Sequence, residues 1–336
     1  MCTDAEMSGG FSRLHKCCSQ IVDWATCEAI NALHARAWRE TTTLEEAQEM
    51  LARLSGIEPQ EFYRAHAAVV KYEPAQGPRR LQAVTAHPSG VAENDRLVFD
   101  FFPADSKWER PLMFLLHGLM SVSDAGYRMW ARRMNSRGWH VVFVHLPYHY
   151  SRTPRGFWSG ELALGPNGKR NIEALRQAVC DVRSLARWAE QRGVLRWGVL
   201  GMSYGGWVGG LLATLEQSAG PFFLIEPPVD FCHATWESPA SRALRRMLEG
   251  RGLRREIVRD LDRLVSLVEM QPCCAPGAVT LFSGEYDRIC PPSSIDALAR
   301  KWGCEHCCFP QGHVGYRLMR EAFALWSRRH SVCFLA

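Results

Sequence analysis

Ser203 stands in Gly201-Met-Ser-Tyr-Gly205, directly after the apolar run Trp197–Leu200 and directly before a run of small and apolar residues. A strand, a sharp turn and a helix in that order hold a serine hydroxyl out at the N-terminus of the helix. Glycines two residues to either side suit a turn in which side chains would collide, and a serine there sits in strained backbone. The chemistry this permits is attack on a carbonyl carbon. A hydroxyl attacks poorly until a base takes its proton, and that base needs an acid to orient it. Asp287 follows the run Val279–Phe282, in Gly284-Glu-Tyr-Asp287, and His313 follows Glu305–Phe309, in Gln311-Gly-His313. The 26 residues from Asp287 to His313 fit one helix and one strand, which puts both on the sheet edge that carries Ser203. Glu226 and Asp230, just past Phe222–Ile225, compete for the acid's role; His117, His145 and His149 also stand near strand ends.

A tetrahedral intermediate needs N–H donors already aimed at its oxygen. The Tyr204 amide, directly after the serine, is one. The other is expected from the loop after Leu112–Leu116, which reads His117-Gly118-Leu119-Met120; Gly118 lets the chain turn and Leu119 supplies the amide. His117, Met120, Tyr148 and His149 are candidates to line a substrate pocket. Pro147 denies His145 and His149 the shared helical face a metal pair would need. Cys304-Glu-His-Cys307-Cys308 lacks a second ligand pair at zinc spacing, so a strand carrying small thiols is the better reading.

These residues need a frame. Residues 11–73 read as three helices. Leu14, Cys18, Ile21 and Ala25 fall at helical spacing in the first, and Thr43-Leu-Glu-Glu46 is a capping box opening the second. The third starts at Pro59 and runs through Phe62, Ala65 and Val69. Pro74–Pro78 is a linker, after which Leu81–Ala86 and Arg96–Phe102 read as an antiparallel hairpin. Apolar strands at 112–116, 140–145, 197–200, 222–225, 279–282 and about 305–309 then alternate with helices at 127–136, 171–191, 207–216 and 293–302. That alternation means a mostly parallel sheet covered on both faces, with its site at the strands' carboxyl ends. Two segments interrupt it. Residues 146–170 are long for a connection and read as functional or lid-forming, and 227–272 read as an inserted helical unit. The division expected is an N-terminal helical arm at 1–75 and a main domain at 76–336.

Composition is that of an ordinary globular protein: 336 residues, 47% apolar and 22% charged. A net charge of +5 is too mild to argue for nucleic acid. Residues 1–10 are acidic without an apolar centre, and no run nears eighteen apolar residues, so neither a secretory leader nor a membrane span is expected. Thirteen cysteines, an odd number with three adjacent pairs, fit free thiols and a cytoplasmic location. Residues 238–265 hold eight arginines against four acids; they could meet an anionic substrate or a membrane surface, although the interspersed acids suit a solvated face.

Residues 79–336 resemble the α/β-hydrolase superfamily in its serine esterase, lipase and peptidase branch. The resemblance rests on His117-Gly118-Leu119, Gly201-Met-Ser203-Tyr-Gly205, Gly284-x-x-Asp287 and Gly312-His313. It implies the α/β-hydrolase fold: an eight-stranded, mostly parallel sheet with helices on both faces and a helical cap inserted after the sixth strand, which suits 227–272. It also implies Ser203 as nucleophile, His313 as base, Asp287 as orienting acid, and no cofactor or metal. The loop reads His-Gly-Leu-Met where the hormone-sensitive-lipase-like esterases carry His-Gly-Gly-Gly, which sets that subgroup aside. The function expected is hydrolysis of a small-molecule carboxylic ester, before an amide or thioester, through an acyl-enzyme. An acyltransferase using the same residues and a non-catalytic binding protein on the same fold are the alternatives.

Overall fold

Leu112–Leu116 and His140–Val144 are apolar without interruption because both of their faces are covered. Leu112, Phe114 and Leu116 enter one core, and Met113 and Leu115 the other, on the opposite side of the sheet. The computed structural model describes residues 4–72 and 77–330; the linker expected at Pro74–Pro78 lies mostly outside them. In chain order the elements are α1 (Asp4–Arg36), α2 (Leu44–Leu54), α3 (Pro59–Phe62), β1 (Arg79–Val84), β2 (Arg96–Phe102), β3 (Leu112–Leu116), α4 (Ala125–Asn135) and β4 (His140–Val144). Then come α5 (Gly168–Glu190), β5 (Trp197–Met202), α6 (Tyr204–Ala213), β6 (Phe222–Ile225), α7 (Phe231–Trp236), α8 (Arg242–Gly250) and α9 (Arg255–Asp262). The chain closes with β7 (Val279–Gly284), α10 (Pro292–Trp302), β8 (Glu305–Phe309) and α11 (Arg317–His330).

The eight strands form one sheet in the order β1-β2-β4-β3-β5-β6-β7-β8. β1 and β2 form the antiparallel hairpin, β2 pairs antiparallel with β4, and every other neighbour is parallel. After β4 the chain recrosses and sets β5 on the far side of β3. The crevice at this reversal, beyond the carboxyl ends of β3 and β5, is where such sheets bind ligands. α2, α5, α6 and α10 pack on one face, α4 and α11 on the other.

Ahead of the sheet, Thr43 and Glu46 make both hydrogen bonds of the capping box. The third helix is shorter than its pattern, ending at Phe62. Guanidinium groups of α5 take the carbonyls it would have used internally: Arg176 donates to Phe62, Arg183 to Tyr63 and Arg187 to Ala65. The apolar spacing in α1 also points the other way from expectation. Leu14, Cys18, Ile21 and Ala25 are exposed, and the buried face is Asp23, Cys27, Asn31 and His34. That polar face has partners. Asn31 donates to the Pro239 carbonyl and accepts from the Ala243 amide, and Glu28 pairs with Arg242 of α8.

Segment 146–170 is anchored in the core near its start and sends Leu164 to the cavity beside Ser203. Arg152, fully buried, pairs with the equally buried Asp181 of α5 at 2.7 Å and donates to the carbonyls of Asn94 and His145. Several arginines of 238–265 are spent locally: Arg255 pairs with Glu237, and Arg245 and Arg263 donate to the Trp236 and Ile57 carbonyls. Among the described residues, no helix is long and apolar enough to cross a membrane, and every cysteine is a free thiol.

Candidate active site

β5 ends at Met202 and α6 begins at Tyr204, leaving Ser203 at φ 51°, ψ −117°. Such backbone costs a serine roughly 1–3 kcal/mol and persists only when its surroundings impose it. Here the Ser203 amide donates to the Ile225 carbonyl of β6 at 2.7 Å, and the Ser203 carbonyl accepts the first helical bond, from Trp207, at 2.9 Å. A Cβ on Gly201 would overlap the Gly205 carbonyl, and one on Gly205 would overlap the Leu116 carbonyl of β3. Ser203 does not cap α6 with its side chain, so the hydroxyl is left for other partners. The first amides of α6, Tyr204's included, have no partner within the helix.

The hydroxyl's partner is His313, in the loop between β8 and α11. Its Nε2 lies 3.0 Å from Ser203 Oγ, and its Nδ1 2.8 Å from Asp287 Oδ2. An ionised carboxylate only accepts, so Nδ1 carries the proton and Nε2 is free to accept from the serine. Asp287 is fixed in turn: its Oδ1 accepts the amides of Ile289 and Cys290 at 2.7 and 2.9 Å. The loops that bear acid and base are joined by Tyr286 N–H to the Gln311 carbonyl, 2.9 Å. Burial works to lower the His313 pKa, but the charge and hydrogen bond of Asp287, then the charge of Asp23, outweigh it and raise the value above the ordinary imidazole. Among the described residues, the one grouping with metal-ligand spacing is Asp287, Cys290 and His313, whose ligand atoms lie within 4.8 Å. Asp287 and His313 are already bound to each other there. The Cys304–Cys308 segment forms no such group.

The competing acids stand elsewhere. Asp230 caps α7 by accepting the His233 amide. Glu226, at φ 49° and fully buried, is 3.9 Å from His313 Nδ1, too far for a hydrogen bond. Burial first, then the neighbouring charges of Asp287 and Asp23, push its carboxyl well above the ordinary range. The folded protein therefore keeps a proton that the unfolded chain releases. Stability falls as pH rises from the unfolded carboxyl value toward the folded one, by up to about 1.4 kcal/mol per pH unit. Glu226→Gln keeps the shape without titrating. Its Tm should match wild type near pH 4 and exceed it at pH 8; equal Tm values at both would contradict a neutral Glu226.

Beside Ser203 opens a cavity of ≈ 190 Å³. Gly118, Leu119, Met202, Tyr204 and His313 form its floor; Thr26, Ile30 and His34 of α1, with Ala234, Ser238 and Ala240 of the insertion, form its walls. Gly118 packs close: a Cβ there would lie 3.5 Å from that of Ser203. Of the side chains expected in a pocket, His117, Met120, Tyr148 and His149 are absent from this lining. His117 is buried behind the loop, accepting the Leu146 amide at Nε2, and burial lowers its pKa. His149 packs against it, bonded to the Pro147 carbonyl and lowered to about 4 by burial. Tyr148 is buried too, its amide held by Asn94. Pattern reading missed Asp23, Thr26, Ile30, His34 and Cys290. The first four repeat at helical spacing along α1, but a mixed polar face does not announce itself as a site.

No protein-family model matches the chain. Two curated proteins of Mycobacterium tuberculosis are similar to it: the uncharacterized proteins MT2702 (strain CDC 1551 / Oshkosh) and Rv2627c (strain ATCC 25618 / H37Rv). Each is 25% identical over 223 residues, covering 62% of this chain and 50% of the relative. The chain thus spans about half the length of the curated relatives it matches. Among solved structures, acetyl xylan esterase 1 from Thermoanaerobacterium sp. JW/SL YS485 aligns over 87% of this chain and 98% of its own, at TM-score 0.57 and 16% identity. The acetyl xylan esterase from Paenibacillus sp. R4 aligns over 88% and 93%, at TM-score 0.57 and 14% identity. The Pyrococcus horikoshii acylaminoacyl peptidase aligns over 77% of this chain but 42% of its own, at TM-score 0.52 and 14% identity. At these identities the likeness is one of fold, and with the strand order it makes this an α/β-hydrolase fold.

Proposed function

We propose that this α/β-hydrolase-fold protein is a serine hydrolase that cleaves a carboxylic ester through an acyl-enzyme. The observation that carries this reading is the hydrogen-bonded line Ser203–His313–Asp287 opening on an apolar cavity. In the reaction, His313 Nε2 takes the proton from Ser203 as Oγ attacks the ester carbonyl. The Asp287 carboxylate holds the tautomer and stabilises the imidazolium. The Leu119 and Tyr204 amides receive the oxyanion, and His313 returns its proton to the departing alcohol. Water, deprotonated by the same imidazole, then releases the acid and restores Ser203.

The cavity bounds the acyl group. An apolar cavity of about 150 Å³ holds benzene, so ≈ 190 Å³ suits an acyl chain of roughly six to eight carbons or an aryl acid. In this reading the insertion at 227–272 acts with α1 as the cap over Ser203. The test is a fluorophosphonate probe followed by mass spectrometry, with a p-nitrophenyl ester series of increasing acyl length. A single adduct on Ser203 and a rate optimum near hexanoyl to octanoyl are expected. A folded protein inert to the probe and to every ester would overturn the reading.

A further inference from the structure

α1 lies outside the resemblance, yet it reaches the centre of the site. Asp23 is fully buried, and its two carboxylate oxygens accept consecutive backbone amides of the loop after β8: Oδ2 from His313 at 2.9 Å, Oδ1 from Val314 at 3.2 Å. Burial works to raise the Asp23 pKa and outweighs the two amide bonds, which by themselves favour the carboxylate. The fit is close from the loop's side as well. A Cβ on Gly312 would lie 2.8–3.0 Å from the Asp23 carboxyl group. We propose that Asp23 is a positioning residue for His313: it fixes the backbone that carries the base and adds a second negative charge beside the imidazole. This inference rests on the reading of His313 as the base.

Two functions follow from one group. As an anchor, Asp23 sets where Nε2 stands relative to Ser203, and a misplacement near 1 Å can cost about a hundredfold in rate. As a charge, it favours the imidazolium that forms when the serine is deprotonated. The other titratable groups facing this spot are Asp287 and Cys290 after β7, Glu226 after β6, Ser203 after β5 and Cys27 on α1 itself, with Arg288 farther off. Burial pushes the Cys27 thiol up to about 11, and the Cys290 thiol and the Glu226 carboxyl well above their usual ranges. For all three the shift favours the neutral form. The carboxyl groups whose charge favours the imidazolium of His313 are Asp287 and Asp23.

Asp23→Asn keeps the shape, removes the charge and turns one acceptor into a donor. With p-nitrophenyl butyrate as the probe, kcat should fall about ten- to a hundredfold with KM nearly unchanged. In wild type the acid limb of the pH–rate profile should lie above the ordinary imidazole value, since only neutral His313 accepts the serine proton. In Asp23→Asn that limb should move to lower pH, because a charge favouring the imidazolium is gone. Asn31→Ala loosens the same helix against the insertion; it should lower Tm while leaving the limb in place. Gly312→Ala, which presses on the carboxylate but keeps its charge, should lower kcat without moving the limb and serves if Asp23→Asn does not fold. The proposal is overturned if Asp23→Asn keeps both kcat and the limb, or if Asn31→Ala moves the limb equally. If wild type itself is inert to esters and to fluorophosphonate, the hydrolase reading fails and takes this inference with it.

Discussion

Ser203→Ala is expected to lower kcat/KM for ester hydrolysis by about 10⁴–10⁶-fold while leaving the fold intact. The hydroxyl has His313 Nε2 as its partner and does not cap α6, so removing it opens no structural bond elsewhere. Alanine keeps the Cβ and hence the same strained backbone, so Tm should change little. The rate left over would come from the Leu119 and Tyr204 amides and from the cavity, acting on a bound ester attacked by water. The comparison belongs at a pH above the His313 limb, where the base is neutral in both proteins. A variant retaining more than about one per cent of the rate, with its fold verified, would place the nucleophile somewhere other than residue 203.

Gly205→Ala should damage the fold where Ser203→Ala damages the chemistry. The added methyl would meet the backbone of Leu116, the last residue of β3 at the middle of the sheet, and of His117 just beyond it. A flexible side chain could swing away from such a contact; a carbonyl locked in the β3–β5 ladder cannot. A destabilisation of about 3–5 kcal/mol is expected, read as a fall in Tm of roughly 10 °C. Gly250→Ala is the matched comparison, since a Cβ there meets nothing within 4 Å. It should leave Tm unchanged or slightly higher, as alanine favours the helix. Equal Tm values for the two variants would mean the turn relaxes at little cost, contrary to the imposed backbone at Ser203.

What could be read from the sequence follows a physical boundary. Uninterrupted apolar runs such as Leu112–Leu116 and Phe222–Ile225 identify doubly covered strands because burial on both faces demands that composition. Ser203, Asp287 and His313 could be picked out because each stands within a few residues of an expected strand's end, and strand ends are where a parallel sheet gathers side chains. Asp287 is the acid expected from the sequence, with Glu226 its competitor past a neighbouring strand; their distances to His313 Nδ1 are 2.8 and 3.9 Å. α1 misled more deeply. Its apolar residues Leu14, Ile21 and Trp24 face outward, while Asp23, Cys27, Asn31 and His34 face in. Hydrophobic periodicity cannot recognise a face whose burial depends on hydrogen bonds to residues hundreds of positions away. The third helix failed for a related reason: Arg176, Arg183 and Arg187, far along the chain, claimed its carbonyls. C-terminal helix α11, which covers one face of the sheet, gave no signal strong enough to be singled out.

The bond from Asp23 to the His313 amide joins residues 290 positions apart. A ribosome adds about 5–20 residues per second, so the anchor is made roughly 15–60 s before the histidine it holds. A chain halted between Asp287 and β8 would possess the elbow and the acid but no base. Asp23 would lack the two amides it holds, although α1 could already meet the insertion through Asn31 and Glu28. Such separation also slows folding, because the loop must close before its contacts repay it. The site therefore comes into being as the last strand and its loop are laid down. A truncated or stalled copy would hold a cavity beside a serine that no base has activated.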